Sequence, residues 1–193
     1  MLRQEKRNHT RVLVLCAVLT ALVVVLQMMG TFVRLGPFQI ALVLVPIVIG
    51  AATCGIWMTT WLGLVFGAVV LLNGDAATFL AVDVAGTIIT VLLKGVACAF
   101  AAGVAYKLLE KYNRYLAVIV AAIVCPIVNT GVFLLGGAVF FMDTITAWGI
   151  AEGYNSAVAY MFLVMVGGNF LVELASNMIL SPVIFKLLHI RKA

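Results

Sequence analysis

Polar side chains interrupt three long apolar stretches of this sequence. Lys94 and Asn129 each lie near the middle of one stretch, and a third stretch carries Asn169, Glu173 and Asn177 at four-residue spacing. In a helix this spacing places the three side chains on one face. A polar group in apolar surroundings is costly unless it is hydrogen-bonded or paired, so these positions are candidates for a binding site.

Lys94 and Glu173 have two possible roles. They form a buried ion pair that fixes helix register, or they line a water-filled substrate pocket together with Asn129 and Asn169. The two asparagines offer more hydrogen-bonding capacity than one salt bridge requires, which favours the pocket. A buried lysine also suits a ligand carboxylate, although Glu173 can already neutralise it.

The residues that common membrane-embedded and hydrolytic enzymes need are missing. His9 and His189 are the two histidines of the chain, and both lie near its ends, so a metal site of the HExxH kind lacks its ligands. No GxSxG motif and no phosphate-binding loop is present. We therefore expect no catalytic residue, no metal and no cofactor, with ATP bound by partner proteins if it is used at all.

The composition is that of a membrane protein. Hydrophobic residues make up 65% of the 193 residues and charged residues only 10%, so most of the surface faces lipid. The net charge of +5 comes from basic clusters between apolar stretches, which indicates contact with anionic lipid rather than with nucleic acid.

The basic residues predict the topology. Ten of the twelve fall in three clusters, and basic residues next to membrane spans stay in the cytoplasm. Both ends of the chain and the loop at 107–114 should therefore be cytoplasmic, with an even number of spans between clusters. The clusters are Arg3, Lys6, Arg7 and Arg11; Lys107, Lys111 and Arg114; and Lys186, Arg191 and Lys192.

These constraints predict an all-α membrane protein with six transmembrane helices in one domain, 1–193. The apolar stretch from 38 to 73 would form a helix of about 54 Å against a membrane core of about 30 Å, so it must reverse once, within Gly50–Gly55. The outer loops are 74–83 and 142–156. The predicted spans are 11–33, 38–53, 56–73, 84–106, 115–141 and 157–188.

Small residues at four-residue spacing let helix backbones approach closely in lipid. Ala17 and Ala21 form such a pair on the first span, Gly63 and Gly67 on the third, and Gly95 begins a series on the fourth. Packing inside the bundle explains any one of them. For Ala17 and Ala21, docking of another membrane protein is the alternative.

With six predicted spans in fewer than 200 residues, cytoplasmic ends and the Ala17-xxx-Ala21 pair, the chain resembles the substrate-binding S-components of energy-coupling factor (ECF) transporters. This resemblance implies a subunit of the bacterial cell membrane that captures a vitamin from outside. It also implies that Ala17 and Ala21 dock the transmembrane T-component, which couples to two cytoplasmic ATPases. The segments at 42–50 and 125–131 are most similar to pantothenate-type S-components, and specificity for folate, riboflavin, thiamine or another small molecule stays open.

The resemblance also implies which residues bind substrate. In the family, spans four to six form an outward-facing pocket, and the loops after spans one, three and five close over it. Carried onto this sequence, the pocket residues are Lys94, Asn129, Asn169 and Glu173, and the lid residues are Arg34, Trp148, Tyr154 and Asn155.

Two other functions fit the same sequence features. In the first, the chain works by itself as a homo-oligomeric transporter or channel, with Glu173 as its ion or proton site. In the second, it is a purely structural membrane subunit. The first alternative predicts a dimer or larger assembly, and the second predicts no pocket.

Overall fold

Helices make up nearly all of the described chain. The computed structural model describes residues 2–30, 34–35, 38–39 and 42–190, with side chains for 10–30 and 42–182. The helices are α1 (Leu2–Gly30), α2 (Leu44–Thr53), α3 (Ile56–Leu72), α4 (Ala77–Leu80), α5 (Val84–Leu109), α6 (Arg114–Phe140), α7 (Met142–Ala151), α8 (Ala157–Tyr160) and α9 (Gly168–Ile190). A π-helical segment, Met161–Gly167, joins α8 to α9, and two short strands, β1 (Arg34–Leu35) and β2 (Phe38–Gln39), follow α1.

Four helical stretches within the described residues are long and apolar enough to cross a membrane, namely Thr10–Gly30, Val84–Leu109, Arg114–Phe140 and Ala157–Pro182. Helices α2 and α3 are apolar but shorter, with 10 and 17 residues. At about 1.5 Å per residue, α2 covers roughly half of a membrane core of about 30 Å. The fold is therefore all-helical in its membrane part, and the count of six complete spans stays a prediction.

The structure differs from the prediction at the start of the second span. Helix α2 begins at Leu44 rather than near 38, because Phe38–Gln39 pairs antiparallel with Arg34–Leu35. The reversal after α2 is where the sequence predicts it: Gly55 has a positive φ of 84° just before α3. Glycine adopts this conformation without a steric penalty. Residues 36–37, between the predicted first and second spans, lie outside the described residues.

Both segments predicted as outer loops contain a helix. Within 74–83 the chain forms α4, and within 142–156 it forms α7. Ile145 of α7 and Phe79 of α4 are buried in one apolar cluster. These segments fold as helices because each has an apolar side to bury, which a solvated loop does not.

Helix α5 lies between α3 and α6 and packs extensively against both. The contact with α3 is made by glycines: a Cβ atom added to Gly63 would overlap the carbonyl oxygen of Gly95, and one added to Gly95 would overlap the carbonyl of Gly63. Backbones in such contact gain van der Waals energy that larger residues would prevent. The small residues of α3 and α5 therefore serve packing within the bundle.

The topology predicted from the basic clusters can be tested with reporter fusions. A reporter placed after Lys192 and another near Lys111 should both report the cytoplasm, since both adjoin basic clusters. A reporter at Ala151, at the end of α7, should report the outside. A periplasmic or extracellular signal near Lys111 would contradict an even number of spans between the N-terminus and that loop.

Candidate substrate cavity

A cavity of about 440 Å³ lies among the long helices, at the end of the bundle where α4 and α7 lie. Its size is within the range of pockets that hold small organic molecules, roughly 300–1,000 Å³. Its lining combines charged, amide and aromatic side chains. It is lined by Gln27, Phe66, Val70, Gly74, Asp75, Ala76, Thr78, Phe79, Val91, Lys94, Asn129, Thr130, Phe133, Trp148, Ala151, Glu152, Tyr160, Met165, Val166, Asn169, Phe170 and Glu173.

The four polar residues predicted from the sequence all line this cavity. Lys94 comes from α5, Asn129 from α6, and Asn169 and Glu173 from successive turns of α9. Asn129, Glu173 and Asn169 are only 5%, 6% and 8% exposed. The Oδ1 atoms of Asn129 and Asn169 have no hydrogen-bond partner among the described residues. Each amide group therefore has unused hydrogen-bonding capacity at the cavity wall, which a bound molecule or water can satisfy.

Lys94 is stabilised by aromatic rings. Its Nζ atom lies 5.6 Å from the ring centre of Phe66 and 5.3 Å from that of Phe133, both within the range of cation–π attraction. Glu173 and Asp75 are close enough to act electrostatically on the ammonium group. Several groups thus stabilise the positive charge of Lys94. Both members of the predicted Lys94–Glu173 pair lie at the cavity wall.

Aromatic side chains from two distant parts of the chain meet at the cavity. Phe79 of α4 contacts Trp148 of α7, with ring centres 5.6 Å apart, and Phe133 of α6 at 5.8 Å. Both contacts are edge-to-face, the arrangement that aromatic quadrupoles favour. The segments after α3 and after α6 therefore touch each other across the cavity.

Asp75, in the turn between α3 and α4, ties the cavity to α1. Its Oδ2 atom accepts hydrogen bonds from Gln27 Nε2 and Asn73 Nδ2, each at 2.6 Å. Its backbone N–H donates to Asn73 Oδ1 at 3.1 Å. Bonds to a carboxylate are stronger than neutral ones, so this turn is anchored to the end of α1.

The π-helical segment widens the last membrane helix beside the cavity. Met165 and Val166 belong to it and line the cavity, and Asn169 follows within a turn. Such segments are rare and are frequent at functional sites. Next to it, the Tyr160 hydroxyl donates to Glu152 Oε1 at 3.2 Å, which links α8 to the end of α7.

The predicted lid residues have different positions. Trp148 lines the cavity, whereas Tyr154 lies behind it and packs on Tyr160 with ring centres 5.6 Å apart. Asn155 is exposed and does not line the cavity. Arg34 belongs to β1, and its side chain lies outside the described residues.

Several lining residues are missing from the sequence-based site. Gln27, Asp75, Glu152 and the aromatic residues other than Trp148 were not predicted to line it. The sequence does contain a signal that could have predicted Asp75 and Glu152, since acidic residues in segments predicted as outer loops can close over a pocket. The aromatic residues had none, because aromatic side chains make up 10% of the chain and face lipid as readily as the interior.

Ala17 and Ala21 are exposed on α1. Cys16, Leu19 and Val23 of the same helix are buried in the core. The alanine pair therefore takes no part in packing among the described helices, unlike the glycines of α3 and α5.

A family model described as ECF transporter, substrate-specific component, matches residues 11–185. The chain belongs to this family. It is thus the substrate-binding subunit of a transporter and a multi-pass membrane protein, and the expectation that it is not an enzyme is confirmed. Such an S-component takes a small-molecule substrate and associates with a T-component and ATPases. Neither the curated proteins nor the solved structures include a match to this sequence.

Proposed function

We propose that this S-component captures a vitamin or related small molecule from outside a bacterial cell, in the cavity beneath α4 and α7. The observation that carries the proposal is the pair of buried, unpartnered amide oxygens of Asn129 and Asn169 at its wall. A buried polar atom without a partner costs about 1–3 kcal/mol. Two such atoms at one cavity indicate that a bound molecule supplies the missing hydrogen bonds.

The surroundings of these asparagines fit a capture site. Aromatic residues from the segments after α3 and α6 meet over the cavity, and the movement of such segments would admit and enclose a ligand. Substrate then passes inward through association with the T-component, whose ATPases supply the energy. On this proposal, the chain itself binds neither ATP nor another cofactor.

The alternatives fit less well. Membership of a family of substrate-specific components disfavours a self-sufficient homo-oligomeric transporter. A purely structural subunit predicts no pocket, whereas the described residues enclose about 440 Å³. Pantothenate is the substrate suggested by resemblance to pantothenate-type S-components, and Lys94 would receive its carboxylate.

The substitution Asn129→Leu tests the cavity as the binding site. It removes a buried oxygen that lacks a partner, so the unliganded protein should gain about 1–3 kcal/mol of unfolding free energy. Substrate affinity should fall, because the ligand loses that hydrogen bond. Thermal unfolding in detergent and a binding titration with the small molecule extracted from the wild-type protein measure the two effects.

Asn177→Leu is the matched control. Asn177 is 1% exposed, its amide atoms also lack partners among the described residues, and it does not line the cavity. This variant should gain stability and keep its substrate affinity. If Asn129→Leu instead lost stability and bound substrate normally, Asn129 would be a structural residue and the cavity would not be the binding site.

A further inference from the structure

Negative charge predominates in the cavity. Among the described lining residues, Asp75, Glu152 and Glu173 are acidic and Lys94 is basic, which gives a formal sum of one minus three, or −2. If Arg34 reaches the cavity, as the sequence predicts, the sum is still −1. An anionic ligand would therefore add negative charge to a wall that already has an excess of it.

The acidic residues lie at different depths. Glu152 is exposed and accepts a hydrogen bond from Tyr160, and Asp75 accepts bonds from Gln27 and Asn73. Glu173 is only 6% exposed, so its charge interacts strongly with any ligand beside it, since electrostatic interactions strengthen away from water. Glu173 therefore has the largest influence on ligand charge.

The neighbours of Glu173 at the cavity wall include two asparagines, whose amide groups can both accept and donate hydrogen bonds. Asn169 lies one helical turn away on α9, and Asn129 lines the same cavity from α6. Both have a buried Oδ1 atom without a partner among the described residues. The carboxylate of Glu173 can only accept, so this part of the wall favours a ligand that presents a positively charged or N–H donor group to it. A ligand that presents a carboxylate here would be repelled by Glu173.

The aromatic wall favours a flat or positively charged group. The ammonium group of Lys94 already lies 5.3 Å and 5.6 Å from two lining rings, so this wall stabilises positive charge. Phe79 and Trp148 add ring surface on which a planar ligand can stack. A flexible aliphatic ligand would make little use of these faces.

We infer that the cavity selects a planar nitrogen heterocycle that is cationic or rich in N–H donors. Its donors face Glu173 and the asparagines, and its ring packs against Phe79 and Trp148. The inference rests on the proposed function, because it assumes that the cavity is the substrate site. It disfavours pantothenate, which is an acyclic anion.

The class of ligand can be read from the molecule that copurifies with the protein. The full-length protein is purified in mild detergent and denatured, and the released small molecules are separated with ultraviolet and mass detection. The expected result is a stoichiometric nitrogen-containing compound that absorbs ultraviolet light and that a cation exchanger retains. A stoichiometric compound that is anionic and non-absorbing, such as pantothenate, would overturn the inference and leave the proposed function intact.

An empty protein leads to a different conclusion. If nothing is released, and neither thiamine, as a cationic heterocycle, nor pantothenate raises the unfolding temperature, then the proposed function itself fails and the inference fails with it. The two failures are thus distinguishable by whether any small molecule binds.

Two substitutions, one that removes a negative charge and one that removes a positive charge, test how the charge of the cavity wall affects ligand binding. The absorbing fraction from wild type is titrated into ligand-stripped variants. Glu173→Gln should weaken its binding about ten- to a hundredfold, the equivalent of one charge-assisted hydrogen bond. Lys94→Met should tighten it, because it removes a like charge from the cavity wall. Asp143→Asn, an exposed carboxylate of α7 outside the cavity, should bind as wild type.

The reverse pattern would contradict the inference. If Lys94→Met lost binding while Glu173→Gln kept it, the ligand would be an anion held by the lysine. Thermal unfolding of each variant shows whether it is folded, and the Lys94→Met result decides the sign even if Glu173→Gln is unstable.

Discussion

Replacing Ala17 or Ala21 with Trp should abolish transport while leaving substrate binding by the isolated protein unchanged. Both alanines are exposed on α1, and the buried side of that helix is formed by other residues, among them Leu19 and Val23. Helices associate in lipid through close packing, so an indole side chain would hold the T-component away. The cavity lies apart from this surface, since neither alanine lines it.

The measurements are uptake by cells that express the complete transporter and ligand titration of the purified subunit. Leu22→Trp is the control, since Leu22 is 42% exposed but points to another side of the same helix. It should transport normally. Loss of both binding and transport would mean that the alanines pack within the bundle, and normal transport by both alanine variants would exclude docking at this surface.

Gly95→Val should prevent the bundle from folding stably. A Cβ atom at this position would overlap the carbonyl oxygen of Gly63 on α3. Backbone atoms of a packed helix cannot rotate away as a side chain can. Overpacking of a core usually costs about 1–3 kcal/mol, and we expect at least the upper end of this range here. The result would be a lower yield of monodisperse protein and a lower unfolding temperature in detergent.

Gly131→Val on α6 is the matched control. A Cβ atom there meets nothing within 4 Å, and valine is a better helix former than glycine. This variant should keep wild-type stability and ligand binding. Equal stability of the Gly95 and Gly131 variants would show that α3 and α5 are not in backbone contact.

The two kinds of small-residue pair show how far the sequence can be interpreted. Ala17 with Ala21, and Gly63 with Gly67, have the same four-residue spacing, and the spacing indicates a close helix contact in both cases. In the structure the glycines contact α5, whereas the alanines are exposed. Which neighbour a helix face meets depends on how the whole bundle assembles, and the sequence of one helix does not contain that information.

The residues of the cavity likewise divide into those that the sequence predicts and those that only the structure shows. Lys94, Asn129, Asn169 and Glu173 were predictable because a polar residue deep in an apolar stretch is conspicuous, and all four line one cavity. Asp75 and Gln27 join the cavity through a hydrogen bond across 48 positions of the chain. Asp75 is not unusual where it stands in a predicted outer loop, and Gln27 is a polar residue inside the first predicted span whose partner only the structure shows. Their contribution to the site arises only when α1 lies beside the turn after α3.

The sequence by itself determined the membrane character, the helical fold and the polar residues at the cavity, because composition and local periodicity depend on the solvent around each segment. It also carried the family membership that the match over residues 11–185 shows. The tertiary structure decided the helices of α4 and α7, the aromatic contact between Phe79 and Trp148, and the acidic excess of the cavity wall. These features depend on distances between segments far apart in the chain, which are fixed only when the helices pack.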